Sequence, residues 1–145
     1  MIDPRIIFDY VNNFDESENW GNLVRVNPLL ILTLDYIRKY TNTPIHINCA
    51  YENSGHTTTS QHYKGNAVDF YLGSSLKFYD QINLMERTLV DLNLDDRVGF
   101  GIYPYWNTPG FHLDIRGEKA RWGRNSKGEY VGYDVIKYEI IWCAL

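Results

Sequence analysis

Two short stretches alternate so regularly that they admit one backbone conformation. In AVDFYL, residues 67–72, Val68, Phe70 and Leu72 share one side while Ala67, Asp69 and Tyr71 share the other. In GFHLDIR, residues 110–116, Phe111, Leu113 and Ile115 alternate with His112, Asp114 and Arg116. Side chains on a strand point to opposite faces with period two, so each stretch buries an apolar row and presents a polar one. Placed in one sheet, the two strands turn Asp69 and His112 toward the same cleft. His62 reaches it from the loop before AVDFYL.

Other segments fill in around this pair. PIHINCAY sets Ile45 and Ile47 against His46 and Asn48, a strand with one wet face. RVGFGIY reads as a further strand, with Val98, Phe100 and Ile102 inward and Gly99 and Gly101 on the polar face. Glycine weakens a strand interior. The two glycines mark either space for a substrate backbone or a bulge. The turn-rich YPYWNTPG joins this strand to GFHLDIR as a hairpin. NPLLILTLDYIRKYTNT has helical spacing at Leu29, Leu30, Leu34 and Ile37, with Lys39 near its C-terminal end. SSLKFYDQINLMERTLVDLN reads as a second helix opened by a serine cap, with Phe78, Ile82, Met85 and Leu89 on one side. In the tail, EYVGY is expected as a strand and DVIKYEIIWCA as a short helix. Strands and helices with few β-α-β units predict an α+β fold, a mostly antiparallel sheet with helices packed on one face.

The 145 residues suffice for one domain with a core, and the absence of repeats and linkers predicts a single domain over 1–145. The net charge of −4 offers no footprint for nucleic acid. No apolar run approaches the roughly 20 residues of a membrane span. The N-terminus lacks a basic-then-apolar signal pattern, so synthesis in the cytosol without a signal peptide is expected, and a monomer is expected. Cys49 and Cys143 lack the spacing of a thiol metal site or a redox pair. They are read as two small buried side chains, with a disulfide as the alternative.

Two imidazoles and a carboxylate are a ligand set for catalytic zinc, the fourth position being left to water. His62, Asp69 and His112 leave the ion a net positive charge. Such an ion lowers the pKa of a bound water to about 7 and polarises a carbonyl. The residues around them form a longer pattern, Ser60-x-His62-x-x-Gly65-x-Ala67-x-Asp69.

This pattern, in SQHYKGNAVD, closely resembles the first motif of the zinc D-alanyl-D-alanine carboxypeptidases and their L-alanyl-D-glutamate endopeptidase relatives, the hedgehog/DD-peptidase fold. GFHLDIR followed by ARW resembles the second motif, in the branch that carries H-x-D. LDYIRKYTNTPIHINCAY resembles the helix and strand that precede the first motif. The resemblance spans roughly residues 29 to 123. It implies zinc held by His62, Asp69 and His112, and hydrolysis of peptide bonds in peptidoglycan stem peptides, as carboxypeptidase or endopeptidase. With a short chain, it also implies a phage lysis enzyme or virion-associated wall hydrolase, acting at the bacterial wall after release or within a virion.

Two positions depart from the family. Ala50-Tyr51-Glu52 stands where many members have Gly-Tyr-Arg. Pro109 stands where many have the acid that serves as general base, three residues before the second histidine. Asp114, about 6.8 Å from His112 along the strand, is the expected base, with orientation of a histidine or pairing with Arg116 as its alternative role. His56, in the glycine-serine loop six residues before His62, is read as a solvated loop histidine, with polarisation of the oxyanion as its alternative. Ser60 and Arg116 are expected to touch substrate, and Arg121 shares Arg116's carboxylate-binding chemistry. Trp122 either closes the cleft or caps the core. Pro109 and Glu52 favour a competing function, a non-catalytic zinc-containing binding or structural module on the same fold. A metal-dependent hydrolase of small peptides in the cytosol is a third.

Overall fold

The structure is a computed structural model that describes residues 3–142. A six-stranded sheet runs in the order β1-β2-β4-β3-β5-β6. Its strands are β1 (Ile45–Cys49), β2 (Ala67–Leu72), β3 (Gly99–Tyr103), β4 (Gly110–Asp114), β5 (Ala120–Arg124) and β6 (Tyr130–Val131). Three helices, α1 (Pro28–Thr41), α2 (Phe78–Asp91) and α3 (Tyr133–Trp142), complete an α+β architecture. None of the described helices is long and apolar enough to cross a membrane.

The helices bury one face of the sheet. Leu30, Leu34 and Ile37 of α1, Ile82, Met85 and Leu89 of α2, and Ile136 and Ile140 of α3 join one core with Val68, Phe70, Phe100, Ile102, Phe111 and Leu113 of the strands. Phe111 stacks on both Phe78 and Phe100, with ring centroids 5.0 and 5.3 Å away. The alternation seen in the sequence thus separates a dry face from a working face. On the working face stand Asp69, His112 and Asp114.

α1 starts where its residues dictate. Asn27 accepts a hydrogen bond from Leu29 N at 3.0 Å, Pro28 occupies the first turn, and Asn42 ends the helix in the left-handed region at φ 47°. α2 differs from expectation, because it begins at Phe78 and Lys77 gives no side-chain cap. Ser74 instead accepts from Leu76 N one turn earlier.

Four strand pairings are antiparallel, and β3–β5 is parallel. Strand β5 carries no alternation, since all its residues but Gly123 are half-buried. That is why ARWGR reads from sequence as a motif tail and not as a strand. The β3–β4 register runs unbroken from Gly99↔Asp114 to Tyr103↔Gly110, so the two glycines mark no bulge. Of the tail, β6 forms within EYVGY, and α3 begins at Tyr133, one residue ahead of the expected helix. Cys143 lies outside the described residues, and Cys49 is a free thiol.

The N-terminal segment is tied to α1 by a buried carboxylate. Asp35 Oδ1 accepts from the backbone N–H groups of Asn12 and Asn13 at 3.3 and 3.1 Å, and its other oxygen faces Lys39 Nζ at 3.2 Å. Burial opposes its charge, but the bonds from Asn13 and Lys39 prevail and hold its pKa below the usual carboxylate range. Asp35→Ala leaves two backbone donors unpaired and should cost about 3 kcal/mol in urea unfolding. A depressed folded pKa adds stability that is complete above the unfolded value of about 3.9 and fades as pH falls through the lower folded value. The stability gap between wild type and Asp35→Asn should therefore shrink below about pH 4.

Candidate metal centre and cleft

Each residue of the Ser60-to-Asp69 pattern has a local task. Ser60 Oγ accepts from His62 N at 3.2 Å and opens a single 3-10 turn, Gln61–Lys64, that carries His62. Gly65 ends that turn at φ 72°. A Cβ there would stand 1.8 Å from the carbonyl oxygen of Arg25, so only glycine fits. Two residues later the chain enters β2 at Ala67, and Asp69 faces His112 of β4 in register.

The three expected ligands converge. His62 Nε2 lies 3.3 Å and His112 Nδ1 3.0 Å from the same oxygen of Asp69. The outer nitrogen of each ring is fixed. His62 Nδ1 meets the carbonyl oxygen of Ala50 at 2.6 Å, and His112 Nε2 meets Asp114 Oδ2 at 2.8 Å. A carbonyl only accepts, so His62 carries its proton on Nδ1. Asp114 likewise holds a proton on His112 Nε2. Lone pairs on His62 Nε2, His112 Nδ1 and Asp69 Oδ1 are then aimed at one another, an arrangement that calls for a cation between them. The donor set fits zinc by this test.

Burial would raise the Asp69 pKa, but the adjacent imidazoles of His112 and His62 outweigh it and hold Asp69 well below the carboxylate range. Burial opposes charge on His112, yet Asp114 and Asp69 raise its pKa. A second donor group, Cys49, His56 and His62, overlaps the first. His62 has one inward nitrogen to give, so the two groups share it. Burial, then the charge of Asp69, pushes the Cys49 thiol far up. Cys49 accordingly stays protonated and donates to Asp69 Oδ2 at 3.5 Å.

Asp114 does not stand where a base for the inward-facing atoms is expected. It is fully buried behind the His112 ring. Its Oδ1 accepts from Arg116 N and Nε at 3.2 and 2.8 Å, and its Oδ2 from Arg116 Nη2 at 2.7 Å and His112 Nε2. The two-residue spacing along the strand is as expected, but the imidazole lies between Asp114 and Asp69. Burial opposes its ionisation, and Arg116 and His112 overcome that, holding its pKa well below the usual range.

The β3 glycines make room for this network. A Cβ on Gly99 would come within 2.5 Å of Asp114 Oδ2, and one on Gly101 within 2.5 Å of Trp122 Nε1. The space they leave is filled by the protein's own side chains. Trp122 donates to Tyr103 OH at 2.8 Å, and its ring centroid lies 5.0 Å from that of His112.

The centre opens into a cleft of about 780 Å³ walled by His56, Ser60, Trp122 and Arg116 among others. Ser60 lines it while serving as a cap. Arg116 lines it with one face committed to Asp114. His56 lies parallel to His62 at 4.3 Å, with its backbone N–H and carbonyl both bonded to Tyr63 OH. Its Nε2 faces Glu52 at 3.8 Å. Arg121 is spent on Asp95 and on the carbonyls of Val98, Ala120 and Asp95, and Lys119 also pairs with Asp95. His46, on the outer face of β1, stacks on Tyr71. Tyr103, Trp106, Arg124 and Tyr130 also line the cleft. Sequence reasoning passed them over: Trp106 comes from a turn, Arg124 and Tyr130 from strands without alternation, and Tyr103 ends β3 beyond the residues whose faces were assigned.

No protein-family model matches the chain, and no curated protein matches it. Among solved structures, the crystal structure of Serratia marcescens L-Ala D-Glu endopeptidase ChiX is similar at 20% sequence identity, over 68% of this chain and 86% of that one, with a TM-score of 0.44. So distant a likeness leaves the chemistry of this chain to be read from its own residues.

Proposed function

We propose that this chain is a zinc-dependent peptidase that hydrolyses peptide bonds in the stem peptides of bacterial peptidoglycan. The observation that carries the reading is the trio of inward-facing lone pairs on His62, Asp69 and His112 at the floor of an open cleft. Zinc held there supplies a water acidified to a pKa of about 7 and an electrophile for the substrate carbonyl. His62, Asp69 and His112 bind the ion, while Ala50 O and Asp114 orient the two rings. With Asp114 committed behind His112, the proton acceptor is His56, which lines the same cleft with Glu52 beyond it. Arg116 faces substrate with the part of its guanidinium that Asp114 leaves open. Action at the bacterial wall, after release from a cell or as part of a virion, belongs to this reading through the resemblance of the two motifs.

Digestion of purified peptidoglycan tests it. The zinc-loaded protein should release new amino termini or free D-alanine, and a chelator should stop the release. Zinc binding without any release would favour the second reading, a non-catalytic zinc-containing module. Pro109 and the closed network around Asp114 are the observations on that side.

A further inference from the structure

The cleft does not end at the metal centre. The main cavity shares Asp69 and Trp106 with a neighbouring cavity of about 330 Å³. That one shares Asn48 and Tyr71 with a third, of about 270 Å³, beside β1. Beyond Trp106, which lines the main cavity and both of its neighbours, the main cavity shares Tyr103 and Arg124 with a fourth, of about 180 Å³, at the β5–β6 turn. These neighbouring spaces line up as a groove along the working face, from residues of β1 to residues of β6. Five strand spacings of about 4.8 Å make about 24 Å, the length of roughly seven extended residues. His62, Asp69 and His112 lie partway along it, so chain can extend on both sides of them.

The two arms differ in charge. The β1 arm is lined by Glu18, Asn48 and Asn107 and by no lysine or arginine. The β5 arm holds Arg116 and Arg124. Arg116 is neutralised by Asp114. Arg124 has no carboxylate within ion-pair distance among the described residues. It is nevertheless held in place. Its Nε donates to the Gly128 carbonyl at 2.9 Å, and its guanidinium lies 5.1 Å from the Tyr130 ring centroid. The turn beneath it is pinned by Asn125 Oδ1, which accepts from Lys127 N and Glu129 N. Both terminal nitrogens of Arg124 remain for a ligand, and a fixed planar guanidinium suits a carboxylate.

From the groove and its polarity we infer that the cleft takes an internal segment of an anionic peptide, with Arg124 as the residue that recognises its carboxylate on the β5 side of the metal centre. This rests on the peptidase reading for the place of the reacting bond, and on the groove alone for binding.

The test uses the zinc-loaded protein and two synthetic stem peptides, each acetylated at its amino end and amidated at its carboxyl end. One keeps a free glutamate carboxylate, and its twin carries a carboxamide there. Binding is read from the fluorescence of Trp106 and Trp122, and cleavage from product masses. Wild type should bind the carboxylate peptide about tenfold more tightly than the twin. Arg124→Gln should lose that preference by binding the carboxylate peptide more weakly while binding the twin unchanged, and Arg124→Lys should recover part of it. A preference that survives Arg124→Gln, or none in wild type, overturns the role of Arg124. Binding that appears only when the terminal amide is removed overturns the through-groove. Preferential binding without cleavage supports this inference and overturns the peptidase reading alone.

Discussion

His112→Ala should yield protein with far less than one equivalent of zinc by elemental analysis, whereas wild type carries about one. The ion would keep His62 and Asp69, and the substitution also opens a hole beside Trp122 and leaves Asp114 facing an empty space. Two remaining ligands do not hold zinc against dilution, because structural and catalytic sites alike rely on three or four. His62→Ala should behave in the same way. The loss has a thermodynamic partner. A ligand that binds only the folded state adds RT ln(1 + [L]/Kd), about 4 kcal/mol at a thousandfold excess over Kd. Chelator should therefore lower the melting temperature of wild type by several degrees and leave that of His112→Ala unchanged. Stoichiometric zinc in His112→Ala would remove this histidine from the ligand set.

The second large effect is expected at Asp114. As a positioning group it fixes the His112 proton on Nε2 and turns Nδ1 inward, so Asp114→Asn should weaken zinc affinity by about 10- to 100-fold. Turnover should then return toward wild type once zinc is saturating. A base would behave otherwise, with zinc retained and turnover lost by about 10² to 10⁴ at any zinc concentration. That second pattern is expected for His56→Gln, whose ring touches His62 without completing the ligand trio. Asp114→Ala should also destabilise the fold by about 3–5 kcal/mol, since it leaves the partly buried Arg116 without its partner. Zinc titration followed by kinetics at saturation separates the two roles. Full zinc affinity in Asp114→Asn together with a hundredfold slower turnover would restore Asp114 as the base.

The alternation in AVDFYL and GFHLDIR determined two central strands, their dry and wet faces, and the side on which Asp69 and His112 stand. Period-two alternation is a local property, so it survives reading without coordinates. The 3-10 turn was not anticipated: its segment reads as a loop and Ser60 as a substrate contact, although a serine cap and a left-handed glycine closure are local features. Strand β5 was not legible. Its residues are half-buried on both sides, and it enters the sheet only because β3 offers a free edge for parallel pairing. The choice between the two roles read for Asp114 was not legible either. Sequence spacing set it two residues from His112 on one face, but only the packed rings show that the imidazole stands between it and Asp69. The meaning of Gly99 and Gly101 likewise came from across the sheet, where Asp114 and Trp122 occupy the space that side chains would need. Arg124 and the length of the groove depend on how four separate segments meet. Contacts between residues far apart in the chain leave no periodic trace in it, and tertiary structure alone decides them.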